Sequence, residues 1–325
     1  MITESHFRPA LGLGNCHAQT VFPRYHRPRP WIPVHKRLLA LPDGDQLQLC
    51  YPQWPQADPL RPIVLLLHGL EGSVDSPYIQ GQLQALMTAG FQPLVMHFRG
   101  CGGLPNLLPR AYHSGDSADP RFLAGWLRRK FPGQPLMAVG YSLGGNVLLK
   151  WLGEDGGGSP LSAAVAVSAP LELSACARRI RQGLSRFYQR HLLASLKESL
   201  GRKARDPALA RQLPDLSDKT LFADFYRFDD AFTAPLHGFR DVHDYYQRAS
   251  SKPLLKDIRV PTLVLHALDD PFICPTAVPR DNEVSAAVHM ELSRQGGHVG
   301  FVSGSAWRPR YWLEERIPAF LAEHR

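Results

Sequence analysis

The sequence predicts an α/β fold in which a mostly parallel, doubly wound sheet carries a helical cap insertion. Three observations lead to this prediction. Short apolar runs recur along the chain with helical segments between them, one long segment interrupts that alternation, and the composition suits a large buried core. The 325 residues are 44% hydrophobic and 20% charged, which is typical of a soluble globular protein. We therefore interpret residues 1–325 as a single domain.

Six apolar runs of strand length predict the parallel part of the sheet. The first of them, 62–69, is almost wholly apolar, as expected for a strand that is buried on both faces. Ahead of them, two alternating segments around Pro42-Asp43-Gly44-Asp45 predict a β-hairpin within 35–51. The six runs are 62–69, 92–98, 135–140, 162–169, 261–267 and 286–292.

Helical spacing of apolar residues fills the gaps between these runs. It predicts helices over 78–89, 119–131 and 144–152, and an amphipathic closing helix within 309–324. The segment from about 171 to 252 contains helical periodicity and aromatic residues but no buried strand. We interpret it as a cap over the carboxyl edge of the sheet.

The segment Gly140-Tyr141-Ser142-Leu143-Gly144 matches the pattern G-x-S-x-G between a predicted strand and a predicted helix. At such a turn the serine takes a strained conformation, and glycine two residues away on either side avoids crowding. The N-terminal amides of the following helix favour developing negative charge. The pattern predicts that Ser142 is a nucleophile; the alternative is a purely structural turn.

A serine nucleophile needs a base and an acid that orients it. His298 follows the last predicted strand in the sequence QGGHVGF, and Asp269 and Asp270 follow the strand that ends at His266. The chain order is therefore serine, acid, histidine. We favour Asp269 because it lies three residues past His266, whereas Asp270 directly precedes Pro271 and suits a turn. Asp270 stays open as the alternative.

Backbone amides are the expected donors for an oxyanion. The residue after the nucleophile, Leu143, supplies one amide, and the loop after the strand at 62–69 supplies the other, for which Leu70 is the candidate. His68 precedes this loop, and we interpret it as stabilising the turn rather than acting as a base.

The charge and cysteine patterns exclude several other functions. The net charge is +8, with much of the arginine between Arg178 and Arg211, but no nucleic-acid-binding motif accompanies it. We expect a solvated basic surface, with weak attraction to anionic lipid or acidic substrates as the second interpretation. The five cysteines are scattered and form no CxxC pair, so neither a disulfide framework nor a zinc site is predicted.

No cofactor or targeting segment is expected either. The glycine-rich stretch 97–103 lacks G-x-G-x-x-G and a phosphate-loop lysine, and the histidines are not spaced as metal ligands. No apolar stretch reaches 18 residues, and the beginning of the chain does not resemble a secretory signal. We expect a cytoplasmic protein without integral membrane association or a nucleic-acid partner.

Beyond the serine motif, the sequence resembles the YheT-like branch of the α/β-hydrolase superfamily, the AB hydrolase 4 family, over nearly its whole length. The likeness is carried by GNCHAQT, HGLEGS, MHFRGCGG, YHSGD, GYSLGGN, VSAP, HALDDPF and GGHVGF. It implies an esterase with Ser142 as nucleophile, Asp269 as acid and His298 as base. Relatives act on acyl esters, including lipids. Cys16 stands where members often have proline, with no expected catalytic consequence.

The sequence thus predicts a carboxylic ester hydrolase that forms an acyl-enzyme and needs no metal or cofactor. Its expected substrate is a small or lipid-like acyl ester. The aromatic residues Phe222, Phe225, Tyr226 and Phe228 suggest an apolar acyl pocket in the cap; packing of the cap onto the core is the alternative. An acyltransferase with the same residues and a non-catalytic binding protein are the rival functions.

Overall fold

A nine-stranded, mostly parallel sheet forms the centre of the molecule in the computed structural model, which describes residues 1–27 and 32–325. The strand order is β1-β9-β8-β7-β6-β4-β5-β3-β2, and only the pairs β5–β3 and β3–β2 are antiparallel. A separate two-stranded sheet pairs β10 with β11. The strands are β1 (Ile2–Glu4), β2 (His35–Ala40), β3 (Gln46–Tyr51), β4 (Ile63–Leu67), β5 (Gln92–His97), β6 (Leu136–Tyr141), β7 (Ala163–Val167), β8 (Thr262–Ala267), β9 (Val288–Ser293), β10 (Val302–Gly304) and β11 (Pro309–Tyr311).

Helices cover both faces of the sheet. On one face α3 and α4 contribute to a core with Leu127 and Trp151, and on the other α2 and α11 contribute Leu83 and Ile317. The helices are α1 (Cys16–His26), α2 (Pro77–Thr88), α3 (Ala118–Lys130), α4 (Leu143–Asp155), α5 (Leu173–Ile180), α6 (Ser185–Lys203), α7 (Pro207–Ala210), α8 (Phe225–Phe228), α9 (Ala234–Leu236), α10 (Val242–Ala249) and α11 (Trp312–Ala322). Within the described ranges, no helix combines the length and the apolar character that crossing a membrane requires.

The strand order creates a crevice beside β4. The chain passes from β4 to β5 on one side and then returns to β6 on the other side of β4. The register pairs Leu67 with Gly140, so the loops that follow β4 and β6 leave the sheet next to each other. Ligand sites of open α/β sheets lie at such a reversal of strand order, outside the carboxyl ends of the strands.

The prediction of an α/β fold is confirmed, including the hairpin of β2 and β3 and the six parallel strands β4 to β9. Three elements were not predicted. β1 is only three residues long, and α1 buries only Gln19 and Pro23, so neither has a clear hydrophobic period. The third is the short β10–β11 pair. Asn15 caps α1, and its side chain accepts the His17 and Ala18 amides.

Between β7 and β8 the chain forms six helices, α5 to α10, which we call the cap. The cap is fastened to the body through the buried side chain of Asn146 on α4. Its amide nitrogen donates to the carbonyl oxygens of Ser114 and Ala249, and its oxygen accepts the Ser251 amide. Since every polar atom of Asn146 is paired, this side chain holds the end of α10 against α4.

Candidate active site

Ser142 occupies a sharp turn between β6 and α4, with φ 51° and ψ −118°. The adjacent glycines are sterically required there. A Cβ on Gly140 would lie 2.4 Å from the Gly144 carbonyl oxygen, and one on Gly144 would lie 2.5 Å from the carbonyl oxygens of Leu67 and His68. The G-x-S-x-G spacing therefore lets the turn pack directly against the end of β4 while presenting the serine hydroxyl above the sheet.

His298 lies beside this serine, on the loop between β9 and β10. Its Nε2 is 2.9 Å from the Ser142 Oγ. The imidazole ring stacks on Phe272, with 4.0 Å between the ring centroids and 13° between the planes. The loop is sharply bent, since Gly297, Val299 and Phe301 all have φ between 46° and 60°. A strained loop and an aromatic contact thus hold His298 in place beside Ser142.

The carboxylate that contacts the histidine belongs to Asp270, which corrects the preference for Asp269. Asp270 Oδ2 is 2.8 Å from His298 Nδ1, and its Oδ1 accepts the Phe272 amide at 2.8 Å. Asp269 instead accepts the Gly297 amide at 2.9 Å. The reason is a tight turn directly after β8, closed by a hydrogen bond from the Asp270 amide to the Ala267 carbonyl. This turn directs Asp270 to the imidazole and Asp269 to the loop backbone.

The N-terminal helix α1 holds the histidine loop in place, a contribution that the sequence reasoning missed. The Thr20 hydroxyl accepts the His298 amide at 2.9 Å and donates to the Cys16 carbonyl. The buried Gln19 side chain bonds both the amide and the carbonyl of Val302, at 2.7 and 3.0 Å. A Cβ on Gly297 would lie 2.4 Å from the Cys16 carbonyl oxygen. The motif GNCHAQT was the available signal for these contacts.

The two amides predicted to bind an oxyanion face the same region as Ser142. Leu70 and Leu143 both line the cavity that contains the serine. Among residues 1–27 and 32–325, neither amide donates to another protein group, so both are available to a ligand. Gly69 lets the loops approach, because a Cβ there would lie 3.3 Å from the Ser142 Cβ.

Neighbouring amides of the same loop are already engaged by tyrosines. The Gly69 amide donates to the Tyr78 hydroxyl at 2.8 Å, and the Glu71 amide donates to the Tyr112 hydroxyl at 2.9 Å. The Glu71 carboxylate accepts hydrogen bonds from Tyr112 and from Ser199 of the cap helix α6. Burial raises the pKa of Glu71. These contacts fix the loop around Leu70 and join it to the cap.

His68 has the structural role expected from the sequence. It is fully buried, its Nδ1 lies 2.7 Å from the Gly69 carbonyl oxygen, and its Nε2 accepts the Phe98 amide at 3.2 Å. Burial lowers its pKa to about 4. The ring is therefore neutral at physiological pH, with Nδ1 as the donor and both nitrogens occupied by backbone groups.

A cavity of about 790 Å³ extends from Ser142 and His298 into the cap. Two of the four aromatic residues singled out in the sequence, Phe225 and Phe228, line it, together with Phe232. Phe222 packs behind them against the rings of Phe228 and Phe232, and the Tyr226 hydroxyl contacts His243 on the surface. The cap aromatics therefore divide between the cavity wall and the packing of the cap.

The cavity wall also contains a buried carboxyl group, Asp229. It accepts hydrogen bonds from the Thr233 hydroxyl at 2.7 Å and the Tyr246 hydroxyl at 2.8 Å. Burial raises the pKa of Asp229 to about 7. Across the described ranges, no three histidine, cysteine or acidic side chains are grouped as they would be around a metal ion.

The family model and similar proteins of known sequence agree with each other. Residues 62–305 match the family model of the alpha/beta hydrolase fold. The chain is 42% identical to the "Putative esterase YheT" of Escherichia coli (strain K12), an alignment that covers 99% of this chain and 94% of that protein. It is 29% identical to "Phospholipase ABHD3" of Mus musculus over 94% of this chain and 75% of that protein. It is 30% identical to the "Monoacylglycerol lipase" of Saccharomyces cerevisiae over 82% of this chain and 60% of that protein.

Solved structures share the fold at low sequence identity. The Pyrococcus furiosus esterase Pf2001 superposes with a TM-score of 0.56 at 16% identity, covering 90% of this chain and 93% of its own. A soluble variant of the Saccharomyces cerevisiae monoglyceride lipase has the same TM-score and identity, covering 93% of this chain and 100% of its own. These likenesses concern the fold alone.

Proposed function

Because the chain belongs to the α/β-hydrolase family, we propose that it hydrolyses carboxylic esters through a triad of Ser142, His298 and Asp270. The observation that carries the proposal is the unbroken line of contacts from the serine hydroxyl through the imidazole to the carboxylate, at 2.9 and 2.8 Å. This line lies beside the cavity and beside the Leu70 and Leu143 amides, which donate to no protein group in the part of the chain that the structure describes. Acyl transfer requires such an arrangement.

Acylation begins when Ser142 Oγ attacks the ester carbonyl carbon and its proton passes to His298 Nε2. The carbonyl oxygen becomes negatively charged and accepts the Leu70 and Leu143 amides, aided by the N-terminus of α4. Asp270 accepts the Nδ1–H bond and stabilises the imidazolium without taking its proton. When the tetrahedral intermediate collapses, Nε2 gives the proton to the leaving alcohol, and the acyl group remains on Ser142.

Deacylation repeats these steps with water. His298 Nε2 removes a proton from the water as its oxygen attacks the acyl carbon, and the two amides bind the second oxyanion. The intermediate then releases the carboxylic acid while Ser142 Oγ recovers its proton from Nε2. The stack on Phe272 supports this role because it orients the imidazole, and the Thr20 hydroxyl holds the His298 backbone by accepting its amide.

The cavity favours an ester with an apolar acyl chain. Its volume of about 790 Å³ lies in the range of sites for small organic ligands, and Phe225, Phe228 and Phe232 form part of its wall. Two relatives are named as a phospholipase and a monoacylglycerol lipase. We therefore propose a lipid-like acyl ester as the substrate.

The test is hydrolysis of a series of p-nitrophenyl esters of increasing chain length by the wild type and Ser142→Ala. We expect kcat/KM to rise with chain length and activity to disappear in the variant. Adding an acceptor alcohol and analysing the products separates hydrolysis from acyl transfer. Residual activity of the alanine variant equal to that of the wild type would contradict the proposal.

A further inference from the structure

We propose that the protein docks on anionic lipid bilayers through a surface formed by the N-terminal half of α6 and the outer side of α1. This inference deepens the proposed function, on which it rests, because it names the source from which a lipid-like ester would enter. The surface combines exposed apolar side chains with arginines around the mouth of the cavity. We call it the docking surface and define it by Val21, Tyr25, Leu184, Phe187, Arg24, Arg186 and Arg190.

The apolar side chains of this surface are unusually exposed. Phe187 is 64% exposed, Leu184 58% and Tyr25 70%, and Val21 lies beside Tyr25 on α1. Large apolar residues on one face of a soluble protein mark contact with a partner or a membrane more often than chance exposure does. These side chains lie on α1 and at the beginning of α6.

The two helices meet at the cavity mouth. The His17 ring of α1 stacks on the Tyr188 ring of α6, with 5.8 Å between the centroids. Further along, the positive charge of Arg24 acts on His191, whose pKa is lowered mainly by burial and also by this arginine. Since Val21 lies one turn from both His17 and Arg24, and Phe187 lies one turn before His191, these apolar side chains flank the same junction.

The cavity opens at this junction. Arg24 and His191 are exposed and yet line the cavity that contains Ser142. Thr20 and Pro23 of α1 and Leu192 of α6 line it as well. An acyl chain that leaves a bilayer at the docking surface would therefore enter the cavity between α1 and α6.

The charge of the surface selects an anionic occupant. No aspartate or glutamate occurs between Glu172 and Glu198, whereas five arginines lie in this interval. Arg181 pairs with Asp224 at 3.3 Å. Within residues 1–27 and 32–325, Arg24, Arg186 and Arg190 have no carboxylate within ion-pair distance. Arginines that flank apolar side chains are the pattern of interfacial helices that bind anionic lipids.

The test is sedimentation with vesicles, using Ser142→Ala so that binding is measured without catalysis. Vesicles contain phosphatidylcholine alone or with roughly a third phosphatidylglycerol. We expect binding only to the anionic vesicles, and weaker binding at about 0.5 M than at about 0.1 M salt. Changing Arg186→Gln and Arg190→Gln together should weaken binding about 30-fold, since each basic residue contributes about fivefold. Phe187→Ser should weaken it about tenfold.

Matched controls lie at the opposite edge of the sheet. Leu60 is 83% exposed in the loop before β4, and Arg128 and Arg129 are exposed near the end of α3. Leu60→Ser, and Arg128→Gln with Arg129→Gln, should leave vesicle binding unchanged. The docking variants do not line the cavity, so their hydrolysis of a soluble short-chain ester should equal that of the wild type.

The outcomes separate this inference from the proposed function. Absence of vesicle binding, equal binding to neutral vesicles, or equal loss in the control variants would overturn the docking surface, whatever the esterase assay gives. A wild-type dimer in light scattering that Phe187→Ser converts to a monomer would also overturn it, because the surface would then bind a second copy. Loss of ester hydrolysis in Ser142→Ala with unchanged vesicle binding is the result expected if both proposals hold.

Discussion

Replacing Asp270 with asparagine should remove nearly all ester hydrolysis, whereas the same change at Asp269 should have little effect. Both oxygens of Asp270 accept hydrogen bonds, from His298 Nδ1 and from the Phe272 amide. An asparagine can accept only one of them, because its NH₂ group is a donor. If it keeps the Phe272 bond, its NH₂ faces Nδ1, and the imidazole must then carry its proton on Nε2, which can no longer accept the serine proton.

The magnitude follows from this change of tautomer. An imidazole in the wrong tautomer lowers kcat of serine hydrolases by about 10⁴, which corresponds to about 5 kcal/mol of activation free energy. Asp269 is different, because its Oδ1 accepts the Gly297 amide and an asparagine oxygen preserves that bond. We expect less than about a threefold loss for Asp269→Asn.

The assay is the initial rate of p-nitrophenyl ester hydrolysis by the wild type, Asp269→Asn and Asp270→Asn, with circular dichroism to establish that all three are folded. An Asp269→Asn variant with the greater loss would refute the assignment. Equal losses in both variants would mean that the turn as a whole, rather than the Asp270 carboxylate, determines activity.

Three further predictions concern the supports of the site. Thr20→Val removes the acceptor of the His298 amide and should lower kcat by about tenfold to a hundredfold with little change in KM. Thr20→Ser keeps the hydroxyl and should keep the wild-type kcat. Gly144→Ala places a Cβ 2.5 Å from two carbonyl oxygens and should destabilise the fold by about 3 kcal/mol or more, visible as a lower Tm. Because the pKa of Asp229 is raised to about 7, folding disfavours its ionisation. Its contribution to stability is complete below pH ~4 and decreases by up to about 4 kcal/mol between pH ~4 and ~7. In thermal denaturation between pH ~5 and ~8, the stability of Asp229→Asn should depend less on pH than that of the wild type. Parallel curves of Tm against pH for the two proteins would disprove the raised pKa of Asp229.

The elements that the sequence predicted are those with strong local signals. The strands β4 to β8 are predominantly apolar and buried, and β9 is apolar at alternate positions. The turn around Ser142 is defined by glycines two residues away on each side. Both signals have local physical causes. The apolar runs reflect burial of the sheet, and the glycines reflect the close approach of the turn to β4. Local apolar runs therefore predicted the central sheet, and the local glycine pattern predicted the position of the nucleophile candidate.

The features that the sequence did not predict depend on contacts between distant segments. Asp269 and Asp270 are adjacent and chemically identical, and only the turn after β8 decides which one faces His298. Thr20 is 278 positions away from the His298 amide that it accepts, and no local period marks it. Sequence spacing could place the acid to within one residue. The direction of each aspartate side chain is determined by the packing of the loop after β8.

The central claim is that His298 activates Ser142, and labelling by a fluorophosphonate probe tests it most directly. Wild-type protein should be labelled stoichiometrically, with peptide mapping placing the phosphonyl group on Ser142. Ser142→Ala should not be labelled, and His298→Gln should react slower by about three orders of magnitude. Labelling of His298→Gln at the wild-type rate, or no labelling of the folded wild type, would contradict the account.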